Sequence, residues 1–304
     1  MAMKTEQEHK SGFVAVVGRT NVGKSTLINS LIGEKIAIVA DRTQTTRNKI
    51  MCILNTNNAQ IMFLDTPGIH KPHHKLGECM MRTAESALAE VDAVLLVVDA
   101  TERRGAGDNY IIDKLKNYHT PVILVINKID KLYDKDTIFK VIETYRHGYD
   151  FQAVLPMSAL TDKDFSPLLK ELLKCLPEGP EYFPEDMITD QPERILVGEI
   201  IREKILRATR DEVPHSVAVE VEEMKTRPND SLYIRAEIYV ERDSQKGIII
   251  GAGGKMLKLI GQQARKDIEA LLGNKAFLEL WVKVKPDWRD KEQMLRQLGY
   301  KVDK

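Results

Sequence analysis

The chain has no excess of charge of either sign: 45 Lys and Arg stand against 45 Asp and Glu in 304 residues. A basic field over the whole molecule is therefore excluded, and any hold on nucleic acid must come from a local patch. Cysteine is scarce. Cys52, Cys79 and Cys175 are odd in number, far apart and without a CxxC pair. That excludes a disulfide framework or zinc knuckle and predicts small buried hydrophobes in a reducing compartment. No apolar run approaches the roughly 18–20 residues of a membrane span. The first residues are polar, with no apolar signal region, which predicts a cytosolic protein. Internal repeats and low-complexity tracts are absent. What remains is globular in composition, 43% hydrophobic and 30% charged, and long enough for two domains, since one core seldom grows past roughly 250–300 residues.

Through the first half, short Val-, Ile- and Leu-rich runs alternate with helical patterns. The runs Phe13–Val17, Ile61–Leu64, Ala93–Val98, Val122–Ile126 and Ala153–Pro156 have little polar alternation, as parallel strands buried on both faces do. Helical stretches at Lys24–Ile32, Leu76–Glu90 and Pro167–Leu176 complete a doubly wound α/β sheet. The pattern stops in a stretch of Pro177, Pro180, Pro184 and Pro192 mixed with acidic residues, which reads as a linker. Beyond it come a helix with Val197, Ile201, Ile205 and Ala208 on one face, alternating strands at Val217–Val221 and Leu232–Val240, a second helix over Leu257–Leu271 and a strand at Leu278–Val284. Helix, strand, strand, helix, strand describes a smaller α+β domain, and Lys291–Leu298 is a last amphipathic stretch. The predicted divisions are a flexible N-terminus over 1–11, an α/β domain over 12–176, a linker over 177–193, the α+β domain over 194–286 and a C-terminal helix or tail over 287–304.

Gly18-Arg19-Thr20-Asn21-Val22-Gly23-Lys24-Ser25 follows a strand and opens a helix, the context that gives GxxxxGKS its meaning. The glycines let backbone N–H groups turn inward on phosphate oxygens, and the helix N-terminus adds its dipole. Lys24 reaches the β- and γ-phosphates, and the Ser25 hydroxyl ligates Mg²⁺. Asn127-Lys128-Ile129-Asp130 ends the strand Val122–Ile126, where ligands bind in open α/β sheets. An Asp130 carboxylate accepts from both N1–H and the 2-amino group of guanine and meets a lone pair on adenine, so the nucleotide is GTP or GDP. Asn127 would tie this loop to the phosphate loop, the Lys128 stem would cover the base, and a backbone N–H at Ser158 or Ala159 would reach guanine O6.

Asp65-Thr66-Pro67-Gly68-Ile69 ends another strand. Asp65 would hold Mg²⁺ through water, and the Gly68 N–H would bond a γ-phosphate oxygen. Of Thr45 and Thr46 upstream, Thr46 is assigned to the Mg²⁺ shell. Loss of the γ-phosphate would release both loops, an order–disorder switch. Lys24, Thr46, Asp65 and Gly68 are thus the expected catalytic group. His70, His73 and His74 follow the switch without the carboxylates or thiolates a metal cluster needs.

These motifs in this order resemble the translation-factor-related GTPases, and Gly18–Ser25 with Thr45-Thr46-Arg47 is similar to the bacterial Era family. Ile69 stands where Ras-like enzymes carry a water-orienting Gln, which implies slow hydrolysis unless another group assists. Asn21 resembles the asparagine of potassium-activated GTPases, and the resemblance implies a K⁺ ion where an arginine finger's charge would be.

In the second half, Ile250-Gly251-Ala252-Gly253-Gly254-Lys255 opens the helix that also carries Lys258. A GxxG turn at a helix N-terminus admits a nucleic-acid backbone without Cβ clash, and with the element order it looks like a type II KH domain, which clamps about four single-stranded nucleotides. Lys246, Arg265, Lys266, Lys275, Lys283 and Lys285 make the neighbourhood locally basic. Trp281 shares a strand face with Glu279 and Lys283, where it could stack on a base or pack against another element. Together the two domains resemble Era over essentially the whole chain. The resemblance implies a GTP-hydrolysing switch that acts as a monomer. It would bind the 3′ end of small-subunit rRNA, assist assembly of the small ribosomal subunit and touch the inner membrane peripherally. The competing reading is a membrane-docked signalling GTPase whose C-terminal domain binds a protein.

Overall fold

A computed structural model of the chain describes residues 9–40, 45–68, 74–134 and 136–300. They fall into two compact units. The first holds 9–37, 46–68, 81–134 and 136–190, and the second holds 38–40, Thr45, 74–80 and 191–300.

In chain order the first half forms β1 (Lys10–Val17), α1 (Lys24–Ile32), β2 (Ile50–Thr56), β3 (Ala59–Asp65), α2 (Lys75–Ala89), β4 (Ala93–Asp99), α3 (Ala106–Leu115), β5 (Val122–Asn127), α4 (Thr137–Arg146), β6 (Ala153–Pro156) and α5 (Ser166–Cys175). The six strands lie in the order β2-β3-β1-β4-β5-β6. Every pairing is parallel except that of β2 with β3. Strands β4 and β5 are buried along their whole length, which is why they read as unbroken aliphatic runs. The antiparallel edge strand β2 was not legible in the same way, because its last residues, Asn55 and Thr56, break the apolar pattern. Since β3 and β4 flank β1 on opposite sides, the winding reverses at the C-terminal end of β1, where a crevice opens for a ligand.

The proline-rich stretch forms no regular element, yet it is bonded to the first unit along its length. The Ser11 N–H donates to Pro177 O (3.2 Å) and the Ile53 N–H to Ile188 O (2.8 Å). Between them the fully buried Gln60 amide accepts the N–H groups of Tyr182 and Phe183 (2.7 and 3.0 Å) and donates to Phe183 O (2.8 Å). Prolines cannot sustain a ladder, and one side-chain amide takes over the backbone bonding here.

The second half continues with α6 (Glu193–Ala208), α7 (Val213–Ser216), β7 (Ala218–Thr226), β8 (Leu232–Val240), α8 (Asp243–Ile250), α9 (Lys255–Leu272), β9 (Ala276–Val284) and α10 (Glu292–Gln297). The sheet order is β7-β8-β9, antiparallel then parallel. Ile234, Ala236, Ile238 and Val240 turn one face of β8 inward onto Val197, Ile201 and Ile205 of α6 and Ile260, Ala264 and Ile268 of α9. The expected order lacked one element. The run Ile248–Ile250 is the last turn of helix α8, so GxxG joins two helices. Its three Ile favour a strand, but Gln245 Oε1 accepts the N–H groups of Glu241 and Arg242 (2.9 and 3.1 Å) and fixes a helical start. Only Ile249 of the three is buried, while Ile248 is exposed.

The last described residues belong to the core of the second unit. Trp288 is wholly buried, and its indole N–H donates to Ser216 O (2.7 Å). It clusters with Leu295, Tyr300, Ala218, Tyr239 and the start of α2 at Leu76, Cys79 and Met80. Among the described residues no helix is long and apolar enough to cross a membrane. Removing the indole by Trp288→Ala should cost about 3–5 kcal/mol. Trp288→Phe should cost roughly 1–3 kcal/mol by leaving Ser216 O unbonded. Both are read from denaturant unfolding of the full chain, and a loss within about 0.5 kcal/mol for Trp288→Ala would show that the tail is not part of the core.

Candidate nucleotide and nucleic-acid sites

The phosphate loop lies between β1 and α1, on the crevice. Gly23 has φ +100°, and a Cβ there would sit 2.2 Å from Asn127 Nδ2, so only glycine fits. Lys24 is almost entirely buried, and its ammonium donates to Gly18 O (3.2 Å) and Arg19 O (2.9 Å). Burial lowers its pKa to about 8 against the opposing charge of Asp65. Arg19 is held outward by Glu102 (3.0 Å) and Asp108 (3.3 Å). Asn21 is exposed with φ +64°, and its carbonyl accepts from Lys128 Nζ (2.5 Å). Thr20 meets Gly68, where an added Cβ would come within 2.7 Å of Thr20 Cγ2.

Three segments converge on one carboxylate. Asp65, wholly buried at the end of β3, accepts through Oδ2 from Ser25 Oγ at the start of α1 (2.9 Å) and from Thr46 Oγ1 (3.0 Å). The two hydroxyl oxygens are 3.2 Å apart. A carboxylate and two hydroxyls, with no imidazole or thiolate, form a hard-oxygen set of the kind Mg²⁺ takes. Thr66 Oγ1 donates to Val16 O (2.8 Å), pinning the start of the following loop, and Pro67 is buried. Ile69, His70 and His73 lie outside the described residues. His74 caps the start of α2, its Nδ1 accepting the Gly77 N–H (2.9 Å). No group of three or more His, Cys, Asp or Glu that could hold a metal occurs among the described residues.

At the end of β5, Asn127 Nδ2 donates to Val22 O (2.8 Å) and Oδ1 accepts the Ala159 N–H (2.8 Å), so one side chain joins the phosphate loop to the loop after β6. Asp130 is exposed and accepts from Ser158 Oγ (2.6 Å), while the Ser158 N–H goes to Asp162 (2.8 Å) and the Ile129 N–H to Met157 O (3.4 Å). Sequence reasoning missed Asp99. It ends β4 in register with Asn127, and its Oδ2 pairs with Lys128 Nζ (2.6 Å). Burial alone would raise its pKa, but the bonds from Lys128 and Thr101 hold the carboxyl below its usual range. An acid one strand over from Asn127, at the same strand end, was the available signal.

In the second unit the turn between α8 and α9 runs Gly251, Ala252, Gly253, Gly254. Gly253 has φ +58° and is exposed, with nothing within 4 Å of an added Cβ. Ile250 enters it half-buried against the core, and Lys255 and Lys258 stand exposed on the first turn of the 18-residue α9. Exposed backbone, a helix N-terminus and two cations suit a phosphodiester backbone.

A family model described as 50S ribosome-binding GTPase matches residues 13–128, and a KH domain model matches 212–289. The solved structure of Era in complex with MgGDPNP and nucleotides 1506–1542 of 16S ribosomal RNA is 44% identical, with TM-score 0.93 over 97% of this chain and 100% of that one. An Aquifex aeolicus Era variant bound to GDP.AlF4⁻ is 45% identical, with TM-score 0.93 over 96% of this chain and 100% of its own.

With Lys24 on the phosphates, as its place in the loop predicts, its lowered pKa is expected to make nucleotide binding pH-dependent. Bound phosphates restore the charge, so binding should take up protons as pH passes about 8. Affinity should then fall by up to about tenfold per pH unit until the bound-state pKa is reached. Calorimetry in two buffers of different ionisation enthalpy would detect the uptake, and Lys24→Arg, always charged, should abolish it.

Proposed function

The chain belongs to the Era family of GTPases, and we propose that it is a switch in which GTP controls the grip of the GxxG turn on the 3′ region of small-subunit ribosomal RNA, assisting assembly of the small subunit. It binds and hydrolyses GTP with Mg²⁺. Ser25, Thr46 and Asp65 would hold the ion, which neutralises charge on the β- and γ-phosphates. Lys24 and the inward N–H groups from Gly18 to Ser25 orient the phosphates, the Gly68 N–H responds to the γ-phosphate, and Asp130 selects guanine. The RNA target rests on the related complex with nucleotides 1506–1542 of 16S ribosomal RNA and on the exposed turn from Ile250 to Lys255.

The observation that carries the switch is the setting of two adjacent threonines. Thr46 places its hydroxyl on Asp65 and Ser25, whereas Thr45 belongs to the second unit, where its carbonyl accepts from Arg202 of α6. Burial disfavours the Arg202 charge, but Glu199 beside it (2.5 and 2.9 Å) keeps the guanidinium pKa above its ordinary value. Arg207, one turn on, donates to Val39 O (2.8 and 3.1 Å). Val39 and Thr45 are therefore bonded to the helix under the KH sheet within the second unit, and Thr46 follows Thr45 directly in the chain. A rearrangement at Thr46 is passed through one peptide bond, and by linkage RNA must favour the GTP state as much as GTP favours RNA.

The test is binding of a labelled oligonucleotide from the 3′ end of small-subunit rRNA with GDP and with a non-hydrolysable GTP analogue. Tighter binding with the analogue is expected, and equal affinities would refute the linkage. Gly253→Asp, which sets a carboxylate and a strained φ at the turn, should lower RNA affinity at least tenfold and leave GTP binding unchanged.

We also propose that Asn21 takes K⁺, which supplies charge to a site whose Ile69 cannot orient water. Its exposed position on the phosphate loop supports this. Single-turnover hydrolysis should be faster in K⁺ than in Na⁺ at equal ionic strength, and identical rates would sink the idea.

A further inference from the structure

The KH sheet has a second face. Side chains alternate along a strand, so Tyr233, Arg235 and Glu237 of β8, beside Phe277, Glu279 and Trp281 of β9, point away from α6, α8 and α9. The GxxG turn joins α8 to α9 and is therefore on the other side of the sheet. At one end this outer face is covered by Trp288, Leu295 and Tyr300 packing on Tyr239 and Ala218. At the other end nothing among the described residues covers it, and Phe277 is 51% and Trp281 56% exposed.

The uncovered end has a specific chemistry. Tyr233 and Phe277 are in register on adjacent strands, their rings nearly parallel (14°) at 6.0 Å between centroids. The Arg227 guanidinium lies 5.0 Å from the Tyr233 centroid and 4.7 Å from that of Phe277, and Lys225 Nζ lies 5.2 Å from Tyr233. The carboxylates on this face are spoken for: Glu223 pairs with Lys225 (2.8 Å), Glu237 with Lys283, and Glu279 accepts from Tyr233 Oη (2.6 Å) and Trp281 Nε1 (2.7 Å). Arg227 has no carboxylate within ion-pair distance among the described residues. Its charge is held on two aromatic faces and remains available to an anion. The exposed large hydrophobic groups here are aromatic, with no exposed aliphatic side chain of that size among them.

Flat π-faces with an unneutralised cation match an unpaired base with its phosphate better than an aliphatic protein surface. We propose that Arg227, Tyr233, Phe277 and Trp281 form a second RNA contact, a stacking platform for unpaired bases of a segment other than the one the GxxG turn clamps. It rests on the RNA-binding reading above. A short single strand held by the turn cannot also lie on the far side of the sheet, so the platform engages only a longer RNA.

Two probes separate the sites: an oligomer of about eight nucleotides, twice what a GxxG turn clamps, and the whole segment 1506–1542 of 16S ribosomal RNA. The double variant Phe277→Ala/Trp281→Ala changes only half-exposed side chains, and its unfolding midpoint should stay near that of the wild type. It should bind the long RNA about 10- to 100-fold more weakly, as loss of one or two stacked bases implies, and bind the oligomer as the wild type does. Arg227→Ala should weaken the long RNA alone and reduce the salt dependence of its binding. Gly253→Asp should weaken both. Of the two tryptophans, Trp288 is buried, so quenching of the fluorescence lost in Trp281→Phe should accompany long-RNA binding and not oligomer binding. Wild-type affinity of the double variant for both RNAs would overturn the platform and leave the clamp standing, and would turn attention to a protein partner for this face. Failure of the wild type to bind either RNA would overturn the RNA reading itself, and the platform with it.

Discussion

Asp65 is the constraint on which the nucleotide unit depends. Its carboxylate is buried at the end of β3 and receives hydroxyls from the first turn of α1 and from Thr46. A bare buried carboxylate would be costly, and here three segments far apart in sequence must meet for its Oδ2 to receive both hydroxyls. The geometry is set by the pairing of β1 with β3, which places Val16 opposite Asp65. A slip of one residue would turn Asp65 to the other face of the sheet and leave Ser25 and Thr46 without their acceptor. Asn127 plays the same part on the other side of the crevice, tying Val22 to Ala159.

The second unit relies on α6 as the first relies on β1. One helix carries the apolar face that fills the KH core and also a run of charge, Arg202-Glu203-Lys204, that is buried. Arg202 is paired with Glu199, Lys204 with Asp267, and Glu203 with Arg207 (2.7 Å). Such pairs rarely add much net stability, since desolvation offsets the attraction. Their value here is directional. Lys204–Asp267 ties α6 to α9, while the two pairs within α6 hold Arg202 and Arg207, whose guanidiniums donate to Thr45 O and Val39 O.

Much of this was legible from local pattern. The strands β1, β3, β4 and β5 announce themselves because burial on both faces demands aliphatic runs, whereas β6 is a short, partly exposed edge strand. GxxxxGKS, NKxD and DTPG could be placed because each falls at a strand end, and GxxG because it opens a helix. Less legible were features whose signal is divided between distant residues. Strand β2 earns its place by pairing at an edge, Asp99 by facing Lys128 across β4 and β5, and Gln60 by bonding residues more than a hundred positions away. Helix α8 was hidden because three consecutive Ile suggest a strand until the capping amide of Gln245 is seen. Trp288 gave no hint of being a core residue, since a lone aromatic near the end of a chain has no periodicity to betray its partner.

The sequence by itself determined which residue types stand at which strand ends and helix starts, and so which loops are proposed to meet phosphate, guanine, magnesium and a nucleic-acid backbone. These follow from residue types at short spacing, where a Gly, Lys or Asp has few other reasons to stand at a strand end or a helix start. Only the tertiary structure decided how those parts are joined. Sequence spacing does not record that Thr45 and Thr46 belong to different units, that the linker segment is bonded along the first unit, or that Trp281 is exposed on the same sheet face as an arginine stacked on two rings. Those facts depend on long-range packing, in which a contact is chosen by the surfaces brought together and not by the residues that precede it in the chain.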